Sequence, residues 1–228
     1  MTTTTAPQCI GIIMDGNRRY ARERGISTME GHSAGSEKLK EVMRWAREAG
    51  IKHVIVYAFS TENWNRSRNE VMYLLRLFKR ILTKELAAIK RDGFRVRCVG
   101  LLSRFSSEMQ KIMKKAEEET ANQTGPTLAL ALSYGGRAEI LEAANRAIAN
   151  GEKELNEKTF GKYLWTSDIP DPELIIRTSG EQRLSGFLPW QGVYSELFFT
   201  KTYWPALSRN EFFSILNEYG NRQRRIGR

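Results

Sequence analysis

Three short segments concentrate the residue types from which anion chemistry is built. The first, Asp15-Gly16-Asn17-Arg18-Arg19-Tyr20, follows an apolar run and opens a predicted helix over 18–24. A helix start offers free N–H groups and partial positive charge; Gly16 lets a ligand approach the main chain, and the two guanidinium groups are fixed donors for phosphate oxygens. A carboxylate at the lip of such a cradle makes sense when a hard cation such as Mg²⁺ bridges it to phosphate, because the ion removes the repulsion and takes oxygen ligands. Taken alone, Asp15 also suits a helix N-cap.

The second segment runs Ser60-Thr61-Glu62-Asn63-Trp64-Asn65-Arg66. It sets hydroxyl, amide and guanidinium groups around an aromatic ring, a composition that serves equally for a structural turn anchored by Trp64. The third, Arg177-Thr178-Ser179-Gly180-Glu181-Gln182-Arg183-Leu184-Ser185, offers a second phosphate site, since guanidinium forks pair bidentately with phosphate oxygens. Two phosphate sites call for two phosphorylated ligands. Downstream, Glu196 stands among apolar neighbours, where a charge needs a metal or an arginine, or else lies exposed at a strand edge. His32 offers a hydrogen bond or a proton to phosphate, and His53, before an apolar strand, reads as structural. No phosphate loop of the G-x-x-x-x-G-K-[ST] type, no dinucleotide glycine fingerprint, no His/Cys metal spacing and no G-x-S-x-G elbow occurs.

These loops must be positioned by a scaffold, and the pattern supplies one. Apolar runs of strand length at 9–14, 53–59, 95–99, 127–132 and 173–177, with a sixth at 197–199, alternate with amphipathic stretches at 35–49, 69–91, 106–120, 137–150 and 208–223. This order argues for an α/β fold: a single domain with a mostly parallel central sheet flanked by helices. Ligands of such sheets bind beyond the carboxyl ends of the strands, which is where the three loops fall. The 228 residues suffice for one core, and 41% hydrophobic residues with no repeats exclude disordered and fibrous classes. A flexible segment over 1–8 precedes a domain over 9–228. The apolar runs are too short to cross a bilayer and the first residues lack a secretory pattern, so a cytoplasmic protein is expected. Cys9 and Cys98 are expected to stay reduced and to take no part in chemistry. A net charge of +10 attracts polyanions without choosing among nucleic acid, anionic lipid and diphosphates. Nucleic-acid binding would need basic residues clustered on one face with aromatic platforms, whereas the informative arginines sit on strand-end loops, so no nucleic-acid partner is expected.

Taken together, Ile12-Ile13-Met14-Asp15-Gly16-Asn17-x-Arg19, Gly31-His32-x-x-Gly35, Tyr57-Ala58-Phe59-Ser60-x-Glu62-Asn63-Trp64-x-Arg66, Tyr134-Gly135-Gly136-Arg137, Ile176-Arg177-Thr178-Ser179-Gly180-Glu181-x-Arg183-Leu184-Ser185 and Glu196-Leu197 resemble the cis-prenyltransferase (undecaprenyl diphosphate synthase) family, in the family's order and over nearly the whole chain, to the closing Arg225-Ile226-Gly227. The resemblance implies a homodimer with an apolar tunnel between sheet and helices, lengthening an allylic diphosphate (farnesyl or geranyl diphosphate) with isopentenyl diphosphate units carrying new Z double bonds. It implies Asp15 as the Mg²⁺ carboxylate that helps the allylic diphosphate leave, with Glu196 as a second metal ligand. Gly16, Asn17, Arg18, Arg19, Tyr20 and His32 fall to the allylic diphosphate, and Arg177, Arg183, Leu184 and Ser185 to isopentenyl diphosphate. Asn63 is placed at the proton-accepting step, with Ser60, Thr61, Glu62, Trp64 and Arg66 around it. A peripheral membrane contact for product release is implied as well.

The chain departs from the family pattern at Arg18 (usually glycine), Tyr20 (tryptophan), Thr28 (arginine), Cys9 (histidine), Gly186 (asparagine) and Pro189 (leucine), with Arg18 able to replace the donor missing at Thr28. Small Ala58 permits chain growth, whereas Tyr73 and Leu74 stand where they would close the tunnel. A medium-length product such as undecaprenyl diphosphate is the expectation. A short-chain Z-prenyl diphosphate synthase and a noncatalytic prenyl-binding subunit are the alternatives, the latter opposed by the retained Asp15, Arg177, Arg183 and Glu196.

Overall fold

The computed structural model describes residues 6–222. The first five residues of the 1–8 segment, Gln223 at the end of the last predicted helix, and the closing Arg225-Ile226-Gly227 lie outside the described residues. Six strands, β1 (Cys9–Ile13), β2 (His53–Ser60), β3 (Arg95–Val99), β4 (Thr127–Tyr134), β5 (Leu174–Arg177) and β6 (Glu196–Phe199), form one sheet in the order β3-β4-β2-β1-β5-β6. Every pairing is parallel. The helices are α1 (Asn17–Glu23), α2 (Thr28–Glu48), α3 (Arg68–Thr83), α4 (Leu86–Arg91), α5 (Ser107–Thr120), α6 (Gly136–Ala149), α7 (Glu157–Gly161) and α8 (Arg209–Asn221). None of the described helices is long and apolar enough to cross a membrane.

The period-2 alternation of strand side chains sorts the core into two layers. Ile10, Ile12, Val54, Val56, Leu174 and Ile176 face the larger one, packing against Val42, Leu77, Phe78, Met113 and Phe212 of the helices. Cys9, Ile13, Ile55 and Ile175 face the other, with Trp165, Phe187 and Leu188. Burial pushes both cysteine thiols up, which leaves them protonated and unreactive.

One break in the alternation matters for the site. The β2–β4 register shifts between Tyr57 and Phe59. This bulge puts Phe59 in the larger layer with Trp64, Phe78 and Phe105, and packs Ala58 against the same layer. Bulges beside functional sites re-aim side chains in this way. The second positional device is topological. The chain reaches β2 on one side of β1 and β5 on the other, so the ends of β1 and β5 flank a crevice at a reversal of strand order.

Two helix expectations need correction. The stretch 69–91 is two helices, α3 and α4, broken at Lys84-Glu85 without a proline or glycine. The Glu85 carboxylate is held there by Arg80 Nε at 2.9 Å and by Lys40 Nζ of α2 at 3.0 Å. The helix predicted from Gly35 begins at Thr28, capped by Ser27, whose hydroxyl accepts from the Glu30 N–H at 3.2 Å while the Glu30 carboxylate accepts from the Ser27 N–H at 2.8 Å. Gly31 and Gly35 therefore lie inside α2, where they pack against Asn17 of α1.

Candidate active site

Asp15 follows β1 directly, and its backbone is fixed before its side chain is. Its carbonyl accepts from Thr178 Oγ1 at 2.7 Å and from the Trp204 N–H at 3.0 Å. Gly16 has φ of 106°, and a Cβ there would meet Tyr203 Cδ1 at 2.8 Å and Ser179 at 3.0 Å, so both the conformation and the space require glycine. Asp15 Oδ2 then takes two guanidinium groups, Arg177 Nη2 at 3.0 Å and Arg19 Nη2 at 3.2 Å.

These arginines continue the network in opposite directions. Arg177, almost fully buried at the end of β5, also donates to Ser185 Oγ at 2.9 Å and to the Arg183 carbonyl. Arg19 donates to the Ser179 carbonyl at 3.1 Å and to Glu181 Oε1 at 3.2 Å, and Glu181 pairs with Arg183 as well. Arg183, and after it Arg19, hold the half-buried Glu181 carboxyl below its ordinary value. Three guanidinium groups are thus stitched together by two carboxylates.

A cavity of about 770 Å³ opens beside Asp15, lined by Gly16, Asn17, Arg18, Arg19, Arg22, Thr28, His32, Ala58, Asn63 and Arg66 among others. Its walls stand close because α1 and α2 touch through glycine. A Cβ on Gly31 would lie 2.4 Å from the Asn17 carbonyl oxygen, and one on Gly35 would lie 2.3 Å from Asn17 Oδ1. That Oδ1 is buried and has no hydrogen-bond partner. Behind Ala58 the cavity narrows to an apolar crevice of about 60 Å³ lined by Leu39, Leu74, Leu77, Phe78, Ile81 and Trp204. Ser36, Leu39 and Ile81 in turn border a groove of about 310 Å³ between α2 and the α3–α4 break.

The second loop forms a 3₁₀ turn over Thr61–Asn65, in which Asn63 Oδ1 accepts the Ser60 N–H at 3.1 Å. That leaves Asn63 Nδ2 as the group to meet a ligand. Arg66 Nη1 reaches Glu70 Oε1 at 3.0 Å, and the same oxygen lies 3.0 Å from His32 Nε2. Burial holds the His32 imidazole below its ordinary value, against the opposing pull of the Glu70 hydrogen bond. Burial pushes the Glu70 carboxyl up, but the His32 hydrogen bond and the charges of Arg66 and Arg18 outweigh it and hold the carboxyl low.

The structure therefore gathers Asp15, Gly16, Asn17, Arg18, Arg19, His32, Asn63 and Arg66 around one cavity, and joins Arg177, Arg183 and Ser185 to it through Asp15. Leu184 packs against the second core layer. Other candidates point elsewhere. Trp64 is turned into the core, donating to Ser133 Oγ at 2.9 Å and carrying Arg104 on its ring. Glu62 is exposed and takes a hydrogen bond from Thr61 Oγ1 at 3.0 Å. Tyr20 lies under Arg24. Ser60 contributes its backbone to the turn, and Tyr73, unlike Leu74, does not line the cavity. Glu196 is the clearest departure. Register places it level with Leu174 and Ile10, about 16 Å along the strands from Asp15 at 3.3 Å per residue, and it pairs with Arg222 Nη1 at 2.7 Å. Two metal carboxylates are not brought together within one chain. Among the described residues no three His, Cys, Asp or Glu side chains gather to hold a metal.

Three contributors escaped sequence reading: Glu70, Thr178 and the Tyr203–Trp204 pair. Glu70 lies in the first turn of α3 and pairs with Arg66 in the extended connection before that helix, a contact that helical spacing does not reveal.

A model of the undecaprenyl diphosphate synthase family matches residues 13–227. An isoprenyl transferase from Thermotoga maritima is 43% identical over 225 residues, covering 97% of each chain. A tritrans,polycis-undecaprenyl-diphosphate synthase (geranylgeranyl-diphosphate specific) from Methanopyrus kandleri is 45% identical over 233 residues, 97% of this chain and 85% of its own. The structure of lavandulyl diphosphate synthase from Lavandula x intermedia, in complex with dimethylallyl diphosphate, superposes with a TM-score of 0.92 at 32% identity over 99% of both chains.

Proposed function

The chain belongs to the undecaprenyl diphosphate synthase family of prenyltransferases, and from that premise we propose that it condenses isopentenyl diphosphate with an allylic diphosphate to give a Z-polyprenyl diphosphate. The observation that carries this reading is the double pairing of Asp15. One carboxylate oxygen touches Arg19, on the cavity wall, and Arg177, which leads to Arg183 and Ser185. Two cationic subsites meet at one acid.

The allylic diphosphate lies in the large cavity against Asn17, Arg18, Arg19 and His32, and isopentenyl diphosphate lies against Arg177, Arg183 and Ser185. Breaking the allylic C–O bond sends its electron pair to the diphosphate, and donors already aimed at that charge stabilise it without reorganising. The isopentenyl alkene then attacks the allylic carbon, and loss of a proton from the carbon next to the new cation forms the double bond. Asn63 is an orienting group in that step. Its amide is a poor base and its oxygen is committed to the Ser60 N–H, so the proton goes to a diphosphate oxygen or water. Asp15 would hold Mg²⁺ through Oδ1, since both of its guanidinium contacts fall on Oδ2 and a carboxylate oxygen suits a hard cation. When bound, the ion withdraws charge from the departing diphosphate.

The hydrocarbon tail runs from the cavity past Ala58 into the apolar crevice and on to the groove between α2 and the α3–α4 break. A medium-length product requires Leu39 and Ile81, which border both spaces, to part. A short-chain product is the second reading, favoured by the crevice itself, whose 60 Å³ is room for about two waters. The working form is a homodimer: β6 is a sheet edge, and beside it Val193, Tyr194, Leu197 and Phe199 expose apolar surface. The enzyme acts in the cytoplasm with peripheral membrane contact at product release.

Purified protein with Mg²⁺ and labelled isopentenyl diphosphate, given dimethylallyl, geranyl, farnesyl and geranylgeranyl primers in turn, is expected to yield longer Z-polyprenyl diphosphates, and Asp15→Ala to abolish them. Absence of product from every primer overturns the proposal in favour of a noncatalytic prenyl-binding subunit. Product length in the same assay separates the two readings of the tail path.

A further inference from the structure

The chain has two histidines, His32 and His53, of which His32 lines the central cavity. Its Nε2 faces a carboxylate oxygen of Glu70 that also accepts from Arg66. A carboxylate only accepts, so Nε2 carries the hydrogen and the neutral ring presents a bare lone pair at Nδ1. Among the described residues nothing donates to Nδ1. The charged groups that face the ring are Glu70 of α3, Arg66 before it and Arg18 of α1, while Asp15 and Arg22 line the same cavity.

Burial, with Arg66 and Arg18, keeps the ring neutral in the free protein. An arriving diphosphate reverses that balance: it neutralises the two arginines and brings oxygens that accept from an Nδ1–H. A cation between two anions is then the favourable state. We propose that His32 takes up a proton at Nδ1 when a diphosphate enters the cavity, and that Glu70 is the positioning residue that fixes the ring and balances the imidazolium. The proton comes from solvent on binding and returns on release, so no substrate bond is altered. The proposal rests on the reading of this cavity as a diphosphate site.

The test uses the full chain labelled with ¹⁵N-histidine, inorganic diphosphate as the probe, EDTA, and pH 7.5. In the free protein His32 is expected to show one protonated and one bare nitrogen, with the hydrogen on Nε2. At saturation both nitrogens are expected to be protonated while His53 stays unchanged. By linkage, the wild-type Kd should rise between pH 7 and pH 8 by up to about tenfold more than that of His32→Gln. Glu70→Gln should bind diphosphate with His32 still neutral and with the shallow pH slope of His32→Gln. If diphosphate produces no shift at either histidine and no heat of binding, the diphosphate site itself falls and the proposal with it. If it binds and His32 stays neutral, with equal slopes for wild type and His32→Gln, the proposal alone is overturned.

Discussion

Asp15→Ala should destabilise the fold as well as stop the chemistry, and the two effects can be separated. Arg177 has a side chain only 5% exposed and three acceptors: Asp15 Oδ2, the Arg183 carbonyl and Ser185 Oγ. Removing one partner of a fully buried ion pair costs about 3–5 kcal/mol. Asp15 is itself 29% exposed and borders an open cavity, so water reaches the vacated position. The smaller figure for a hydrogen bond to a charged group, about 1.5–3 kcal/mol, is then the better guide. At about 2–4 °C per kcal/mol for a chain of this size, the melting temperature should fall by about 3–12 °C in a thermal scan. Two controls sharpen the test. Asp15→Ala with Arg177→Met replaces the pair by apolar atoms and should recover stability relative to Asp15→Ala alone. Inorganic diphosphate in EDTA should raise the melting temperature of Asp15→Ala more than that of wild type, because the ligand fills the place of the missing charge without meeting a carboxylate. An Asp15→Ala protein as stable as wild type, or a smaller response to diphosphate than wild type shows, would refute the idea that Asp15 holds the arginines in register before substrate arrives.

Gly31→Ala should cost about 1–3 kcal/mol and weaken diphosphate binding in a titration, because the new methyl meets the Asn17 carbonyl and must push away the helix that carries Arg18 and Arg19; unchanged affinity would mean that α1 does not need its present position. Glu139→Gln should also cost about 1–3 kcal/mol in chemical denaturation. Glu139 is buried and takes only donors, namely the Tyr134 hydroxyl, Gln191 Nε2 at 3.0 Å and the Trp165 N–H at 2.9 Å, so an amide must turn its NH₂ toward one of them. Wild-type stability in that variant would show that the network tolerates a donor.

Most of the strands were legible because a parallel strand covered on both faces must be apolar almost throughout, as β1, β2, β4 and β5 are, whereas β3 carries Arg95 and Arg97 and the edge strand β6 is largely open to solvent. The site loops were legible because strand ends of such a sheet are where ligands bind. What stayed hidden depends on contacts between segments far apart in sequence. Read from sequence, the helix starts at Gly35, after Gly31; in the fold both glycines lie inside α2, at the two positions where Asn17 of α1 comes too close for any side chain. The break between α3 and α4 carries no proline or glycine, and part of what holds it is distant in sequence, since Glu85 pairs with Lys40 across the groove as well as with nearby Arg80. Glu196, a charge among apolar neighbours, calls for a metal or an arginine, and within the chain its partner is Arg222.

Neither cationic subsite is preceded by a long binding motif, because each is assembled from segments far apart in sequence. Arg19 and Arg177 lie 158 residues apart in number, yet β1 and β5 are adjacent strands, so two residues beyond Ile13 and at its register partner the side chains meet over one carboxylate. A subsite assembled in this way inherits the rigidity of the sheet, which the proposed condensation of two diphosphates held at a fixed separation would demand. The wall made by α1, α2 and the 3₁₀ turn is different in kind, resting on glycine contacts, one buried unpaired Asn17 oxygen and the shared Glu70 oxygen. Variation among primers and product lengths is therefore expected to arise at Arg18, Thr28, His32 and the residues behind Ala58, while Asp15 and Arg177 stay tied to the reaction common to the family.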